Sequence, residues 1–381
     1  METWSTHHLL QEATKRHSPD VAYDLCYYAQ GLIEKGLPVI FTLGHLSGIT
    51  GVDYRMLRET VNRRRENCNY RIFKVKKRSK GIRVIHSVSG DLFRVQQFIN
   101  QSILQACLPH PCSFAFHKTG GIRICASKHC GAKWLFQYDL TDFFYDVTEI
   151  DVYNIFCRLG YRNLLSFELA RLCTTINIPS LFEKNILHLA ASDKIMKKPK
   201  ADLFPYPDRT RPIGVLPQGA PTSPMLSNLA ARTLDDLLNE FSLKYGFVYT
   251  RYADDITISA SYIPKSVTIG DIHRGIIHII RKAGFLENRL KTRIAGPGAK
   301  KVVLGLLVDG PEPRLSKEMY HRIDRHLYAC LKYGLKATAD HEKFDSAFGY
   351  YNHLSGLIAF VKDVDKKRWS EFRNLFEKIP K

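Results

Sequence analysis

Phe247-Val248-Tyr249-Thr250-Arg251-Tyr252-Ala253-Asp254-Asp255-Ile256-Thr257-Ile258-Ser259 sets two β-favouring runs on either side of two adjacent carboxylates. Neither aromatic and β-branched run contains Gly or Pro, so the pattern predicts a strand, a tight turn carrying Asp254 and Asp255, and a return strand. Ile256 and Ile258 are expected to face the core, with Thr257 and Ser259 alternating outward. Two like charges side by side in an apolar hairpin are costly unless a cation compensates them. Hard oxygen ligands suit Mg²⁺. A lone Asp-Asp pair would read as a polar hairpin turn and no more; its company decides.

A second carboxylate stands in the same setting upstream. Trp134-Leu135-Phe136-Gln137-Tyr138 reads as a buried strand that ends in Asp139-Leu140-Thr141-Asp142-Phe143-Phe144. Asp139 and Asp254 on neighbouring strands could share two Mg²⁺ ions about 3.5–4 Å apart, the arrangement of in-line nucleotidyl transfer. One ion would activate a primer 3′-hydroxyl, and the other would hold the triphosphate and stabilise the leaving pyrophosphate.

Composition points the same way. The 381 residues carry 56 Lys+Arg against 37 Asp+Glu, a net charge of +19, while the 45% hydrophobic content is that of a soluble enzyme. Such an excess calls for a polyanion, and nucleic acid fits better than an anionic membrane because no long basic amphipathic helix is evident. The most apolar window, Leu37 to Ile49, is too short to span a bilayer, and no signal peptide opens the chain. Nine scattered cysteines suit reduced thiols in a cytoplasmic protein. The spacing of Cys107, Cys112, Cys125 and Cys130 lacks the tight knuckles of a zinc site.

Tyr252-Ala253-Asp254-Asp255 resembles the signature of reverse transcriptases, and four further blocks of that family follow its order over about residues 70–310. Lys76-Lys77-Arg78-Ser79-Lys80-Gly81-Ile82-Arg83-Val84-Ile85 is similar to the basic fingers hairpin. Leu216-Pro217-Gln218-Gly219-Ala220-Pro221-Thr222-Ser223-Pro224 is similar to the block that meets nucleotide and template. Asn288 and Lys291 fall in the block after the active-site hairpin, and Val303-Leu304-Gly305-Leu306-Leu307-Val308 resembles the primer grip.

The resemblance implies an α+β right-hand polymerase with an antiparallel palm sheet backed by helices. It implies an N-terminal helical extension over 1–70, fingers over 71–133 and 150–213, palm over 134–149 and 214–310, and a helical thumb over 311–381. The catalytic residues would be Asp139, Asp254 and Asp255, joined at two Mg²⁺ ions by the Leu140 carbonyl. Lys76, Arg83, Gln218 and Gly219 would contact the incoming dNTP. Phe144 would be the steric gate against a ribose 2′-hydroxyl, with Phe143 and Tyr145 as its neighbouring alternatives. Lys291 would be either a general acid toward pyrophosphate or a phosphate contact.

Smaller features fill in the chain. Gly44 to Gly51 interrupts two helical patterns; Leu92 to Leu108 reads as one amphipathic helix; residues 150–212 read as largely helical, with an exposed Pro- and Lys-rich loop from Lys197 to Pro212. Ser223-Pro224 reads as N-cap and first turn of a helix reaching Phe241, and Asp309-Gly310 as a hairpin turn. In the thumb, Arg322 and Arg325 lie on a basic helix suited to phosphate.

Cys125-Ala126-Ser127-Lys128-His129 is similar to the retron Asn-Ala-x-x-His block, keeping Ala126 and His129; Val303-Leu304-Gly305 keeps Val303 and Gly305 of the retron Val-Thr-Gly. The resemblance therefore implies a bacterial retron reverse transcriptase acting in antiphage defence. Its partners would be a cognate structured noncoding RNA, the RNA-linked DNA made from it, dNTPs and a separately encoded effector, with no membrane. No maturase, nuclease or ribonuclease H segment is read beyond the thumb. A non-retron defence reverse transcriptase, templated or untemplated, keeps the chemistry and changes the biology. A catalytically silent RNA-binding scaffold is disfavoured by the full set of Asp139, Asp254, Asp255, Lys76, Arg83 and Gln218. An RNA-dependent RNA polymerase is disfavoured by Phe144 and Ala253.

Overall fold

The computed structural model describes residues 5–76, 82–178 and 213–379. The tip of the basic hairpin, residues 77–81, and the Pro- and Lys-rich loop lie outside the described residues. The chain divides into two compact units, one made of Met1–His117, Leu140–Leu237 and Ile277–Glu287, the other of Lys118–Asp139, Leu238–Ile276 and Asn288–Lys381. Among the described residues, no helix is long and apolar enough to cross a membrane.

The first unit opens with helices Thr6–Arg16, Pro19–Glu34, Leu43–Thr50 and Tyr54–Val61. The expected interruption at Gly44–Gly51 is instead the third helix. Gly44 and Gly48 each cost roughly 1 kcal/mol there, but Thr42 caps its start, Gly51 closes it in the left-handed region, and Leu43 and Leu46 are buried. Burial of two leucines at about 1.5–3 kcal/mol each outweighs the glycines.

Strands β1 (Tyr70–Lys76) and β2 (Ile82–Val88) pair antiparallel from Tyr70↔Val88 to Lys76↔Ile82. The single helix expected over Leu92–Leu108 is three pieces: α over Gly90–Phe98, a π turn over Ile99–Ile103 and a 3₁₀ turn over Leu104–Ala106. Leu92, Val95, Ile99, Ile103 and Leu104 are all completely buried along these three pieces. Helices Glu149–Leu159 and Asn163–Cys173 follow, the former started by a Thr148–Asp151 capping box. The helix expected to run from Ser223 to Phe241 breaks at Ala231 into Ser223–Ala230 and Arg232–Lys244. Thr222, not Ser223, holds its N-cap position; the Ser223 hydroxyl donates to the Pro217 carbonyl at 2.8 Å.

The second unit is built on a four-stranded antiparallel sheet of β3 (Trp134–Asp139), β4 (Val248–Tyr252), β5 (Asp255–Ala260) and β6 (Arg293–Ala295), in the order β4-β5-β3-β6. β3 and β5 run in register from Trp134↔Ala260 to Asp139↔Asp255. Ile256 and Ile258 are buried as expected, but so are Thr257 and Ser259, at 4% and 2% exposure. Their face is roofed rather than solvated: the His129 ring bridges Ser259 Oγ at 2.7 Å and Thr250 Oγ1 at 2.6 Å. A sheet covered on both faces does not show its buried side as simple alternation.

A short hairpin, β7 (Val302–Val303) and β8 (Leu306–Leu307), turns at Leu304–Gly305, where both residues have positive φ. Asp309-Gly310, read as its turn, lies in a second loop closed by the Leu307↔Arg314 bridge. Helices Lys317–Tyr333, Leu335–His341, Ala347–Lys362 and Lys366–Glu377 complete the chain. Ile323, Leu327, Tyr350, Leu354 and Phe372 from them share one core with Leu135, Val303 and Leu306.

Candidate active site

The turn between β4 and β5 is two residues long, Tyr252 pairing with Asp255 across it. Ala253 adopts φ +56°, a conformation costly for a residue with a Cβ. Arg251 secures it: fully buried, its Nη1 donates to the Ala253 carbonyl at 3.0 Å. Sequence reasoning passed over Arg251, although a charge in the middle of an apolar strand run was the signal. The turn places Asp254 at its second position and makes Asp255 the first residue of β5.

Register then brings the third carboxylate in. Asp139 ends β3 directly opposite Asp255. Its Oδ2 accepts from Lys291 Nζ at 2.6 Å and its Oδ1 from Asn288 Nδ2 at 3.2 Å, while the Asn288 amide donates to the Asp139 carbonyl at 2.7 Å. Burial, and then the charges of Asp254 and Asp139, push the Asp255 carboxyl up to about 6, with Lys291 pulling the other way. Burial works against the charge of Lys291, yet its bond to Asp139 and the three nearby carboxylates win and raise its pKa. A cavity of about 390 Å³ opens here, with Gln137, Asp139, Asp255, Thr257, Lys291 and Arg293 in its wall.

The donor set fits a divalent cation. Negative charge at Asp255 is under-compensated, all donors are hard oxygens, and Mg²⁺ characteristically takes one or two carboxylates and completes its shell with water and substrate phosphate. Among the described residues, no three carboxylate, imidazole or thiol side chains converge closely enough to hold an ion by themselves. Asn288 and Lys291 engage the two oxygens of Asp139.

The remaining expected nucleotide contacts lie in the other unit. Of the three adjacent aromatics, Phe143 and Tyr145 are 4% exposed, and only Phe144 keeps an open side, its ring 6.3 Å from that of Phe116. Leu140 is buried and bridged to Glu287, and Arg83 is exposed on β2. Lys76 ends β1, and its side chain lies outside the described residues. The Gln218 carbonyl accepts from the His86 amide at 2.8 Å. Gly219 has φ +113°, and a Cβ there would come within 3.0 Å of the His86 carbonyl oxygen and Ile85 Cγ2, so this approach requires glycine.

The family described as Reverse transcriptase (RNA-dependent DNA polymerase) matches residues 75–302, more than half of the chain. The chain belongs to the reverse transcriptase family. It is an RNA-directed DNA polymerase of the bacterial retron type, with the α+β polymerase fold and antiparallel sheet of that family. The Retron Ec86 reverse transcriptase of Escherichia coli is 28% identical over 91% of this chain and 92% of its own length. The Retron Mx65 reverse transcriptase of Myxococcus xanthus is 29% identical over 88% and 71%. Among solved structures, a foamy viral protease-reverse transcriptase in complex with double-stranded DNA aligns over 82% of this chain and 43% of its own at 14% identity. The TM-score of that alignment is 0.37. Reverse transcriptases in general depend on divalent metal ions.

In this reverse transcriptase the retron-like positions prove to be of two kinds. Ala126, His129 and Val303 are completely buried, so these retained positions are part of the packed interior. His129 ties strands β4 and β5 together and is held neutral, burial pushing its pKa down to about 3. Gly305 supplies the positive φ of the β7–β8 turn, against the ring of Phe360. Arg325 is exposed, whereas Arg322 is partly buried beside His326 and His353.

Proposed function

We propose that this reverse transcriptase copies part of a cognate structured noncoding RNA into single-stranded DNA that stays joined to the RNA through a 2′-hydroxyl, within a retron that acts against phage. Kinship with retron enzymes over nine-tenths of the chain supports the biology. The observation that carries the chemistry is the register pair Asp139↔Asp255 beside Asp254.

Asp139, Asp254, Asp255 and the Leu140 carbonyl would hold two Mg²⁺ ions. When bound, these lower the barrier to primer hydroxyl attack and stabilise the departing pyrophosphate. Lys291, partly exposed beside them, either gives a proton to pyrophosphate or binds a phosphate oxygen. Lys76 and Arg83 meet the triphosphate, Arg83 with planar bidentate geometry. Gln218 and Gly219 bring backbone close to the nucleotide, and Phe144 excludes a 2′-hydroxyl. The fingers, palm and thumb divisions carry over from the family, the C-terminal helices and Arg325 serving as the duplex-gripping thumb. A separately encoded effector is the expected partner of the RNA–DNA product.

Two measurements test this reading. Asp254→Asn is expected to lower dNTP incorporation on an RNA template by at least about 10³-fold with an unchanged melting transition; retained incorporation would overturn the carboxylate assignment. Sequencing the nucleic acid that co-purifies with the protein should return one short noncoding RNA with DNA attached, and a heterogeneous RNA pool without DNA would overturn the retron reading.

A further inference from the structure

A buried ion cluster of the first unit uses none of the three carboxylates above. Arg63 follows the helix Tyr54–Val61, with φ +60°, and its guanidinium is almost wholly enclosed. Its Nη2 contacts Glu149 Oε2 at 2.5 Å and donates to Thr174 Oγ1 at 2.7 Å; its Nη1 donates to Glu66 at 3.0 Å and to the carbonyl of Thr174. Glu149 is completely buried and takes a second guanidinium, Arg171 Nε, at 2.8 Å. Burial alone would push the Glu149 carboxyl up; the two arginines reverse this and keep it charged.

The cluster ends on a backbone. Glu149 Oε2 also accepts from the Gly214 amide at 3.0 Å, and the Glu149 amide donates to the Gly214 carbonyl at 2.7 Å. Val215 exchanges two hydrogen bonds with Thr175, each 3.0 Å, and the Leu216 amide donates to the Val147 carbonyl at 3.1 Å. Every backbone anchor from 214 to 216 thus precedes Gln218, whose carbonyl meets His86, and Gly219, which fits only without a Cβ. Gly214 is just as confined: a Cβ there would overlap the Arg63 guanidinium and approach Thr174 Oγ1 to 2.8 Å.

We infer that Arg63 is a positioning residue for the incoming nucleotide, acting through Glu149 and Gly214 on the Gln218–Gly219 turn. Arg63 precedes the 75–302 span matched by the family, so the N-terminal helical layer sets a turn that the polymerase core presents. A planar guanidinium fork reaches a carboxylate, a hydroxyl and carbonyls at once, which an ammonium cannot do. The inference rests on the nucleotide-contacting role proposed above for Gln218 and Gly219.

The test is steady-state dTTP incorporation by the full chain on poly(rA)·oligo(dT), with Arg63→Met, Arg63→Lys, Gly214→Ala and Gln218→Ala compared. A merely structural cluster would reduce the active fraction and so lower kcat at constant KM. Positioning instead predicts KM for dTTP raised about tenfold in Arg63→Met and Gly214→Ala, with kcat and template–primer affinity little changed. Arg63→Lys is expected to recover less than half of that loss and to show faster amide exchange at Gly214–Gly219 while remaining folded. If Gln218→Ala raises KM and neither Arg63→Lys nor Gly214→Ala changes KM or exchange, the inference is wrong and the nucleotide role of Gln218 stands. If Gln218→Ala leaves KM unchanged, that role fails and the inference fails with it.

Discussion

Lys291 Nζ stands 2.6 Å from Asp139 Oδ2, and Asn288 from the same turn holds the other oxygen at 3.2 Å. The most buried carboxylate of the site is therefore charge-compensated by the protein's own ammonium. Lys291 is half exposed, so it can leave Asp139 without unfolding anything.

That freedom separates the two roles of Lys291. Lys291→Met is expected to lower kcat for incorporation about 100-fold, the scale of a lost general acid. Lys291→Arg keeps the positive charge but cannot give up a proton near neutrality, so a general acid is not restored by it. Pre-steady-state incorporation reads the difference; recovery in the Arg variant would assign Lys291 to phosphate contact instead.

Phe144 and Phe143 are adjacent in sequence and should respond oppositely. Phe144→Ala opens the side that faces away from the core and is expected to raise ribonucleotide incorporation relative to dNTP by about 100-fold. Phe143 is packed against Phe285, with centroids 5.7 Å apart. Its replacement by Ala should cost about 3–5 kcal/mol of stability and leave sugar selectivity alone. Competitive rNTP/dNTP incorporation and denaturant titration check the pair.

His129 gives the fold a dependence on pH. Its pKa is about 3 in the folded protein, against an ordinary value of 6.5, so the unfolded chain binds the extra proton and stability falls as pH drops below about 6.5. From these values, this one histidine should remove about 2 kcal/mol between pH 7.5 and pH 5. His129→Phe removes the ring that bonds the hydroxyls of Thr250 and Ser259 and should be less stable at pH 7.5, yet lose that part of the slope. An unchanged slope in urea titrations at the two pH values would show that His129 is not the titrating group.

Arg325 is exposed on the helix Lys317–Tyr333. If it meets phosphate, Arg325→Gln should weaken binding of RNA–DNA duplexes equally across sequences and reduce the slope of log affinity against log salt by about 1. Fluorescence anisotropy at several salt concentrations measures both.

The local order of residues by itself determined the strand–turn–strand around Asp254 and Asp255, the strand leading to Asp139, the glycine at 219 and the basic, polyanion-seeking surface. Alternation, β-branching and turn chemistry act over a few residues and are written in them. Only the tertiary structure decided that Asp139 stands opposite Asp255, that Asn288 and Lys291 close on it, and that Arg251 braces the strained Ala253. It also turned Thr257, Ser259 and His129 inward and kept a helix through Gly44 and Gly48. The pairing at Asp139 and the inward turn of Ser259 and His129 depend on strand register and on what covers each face, and both are set by contacts between residues more than a hundred positions apart.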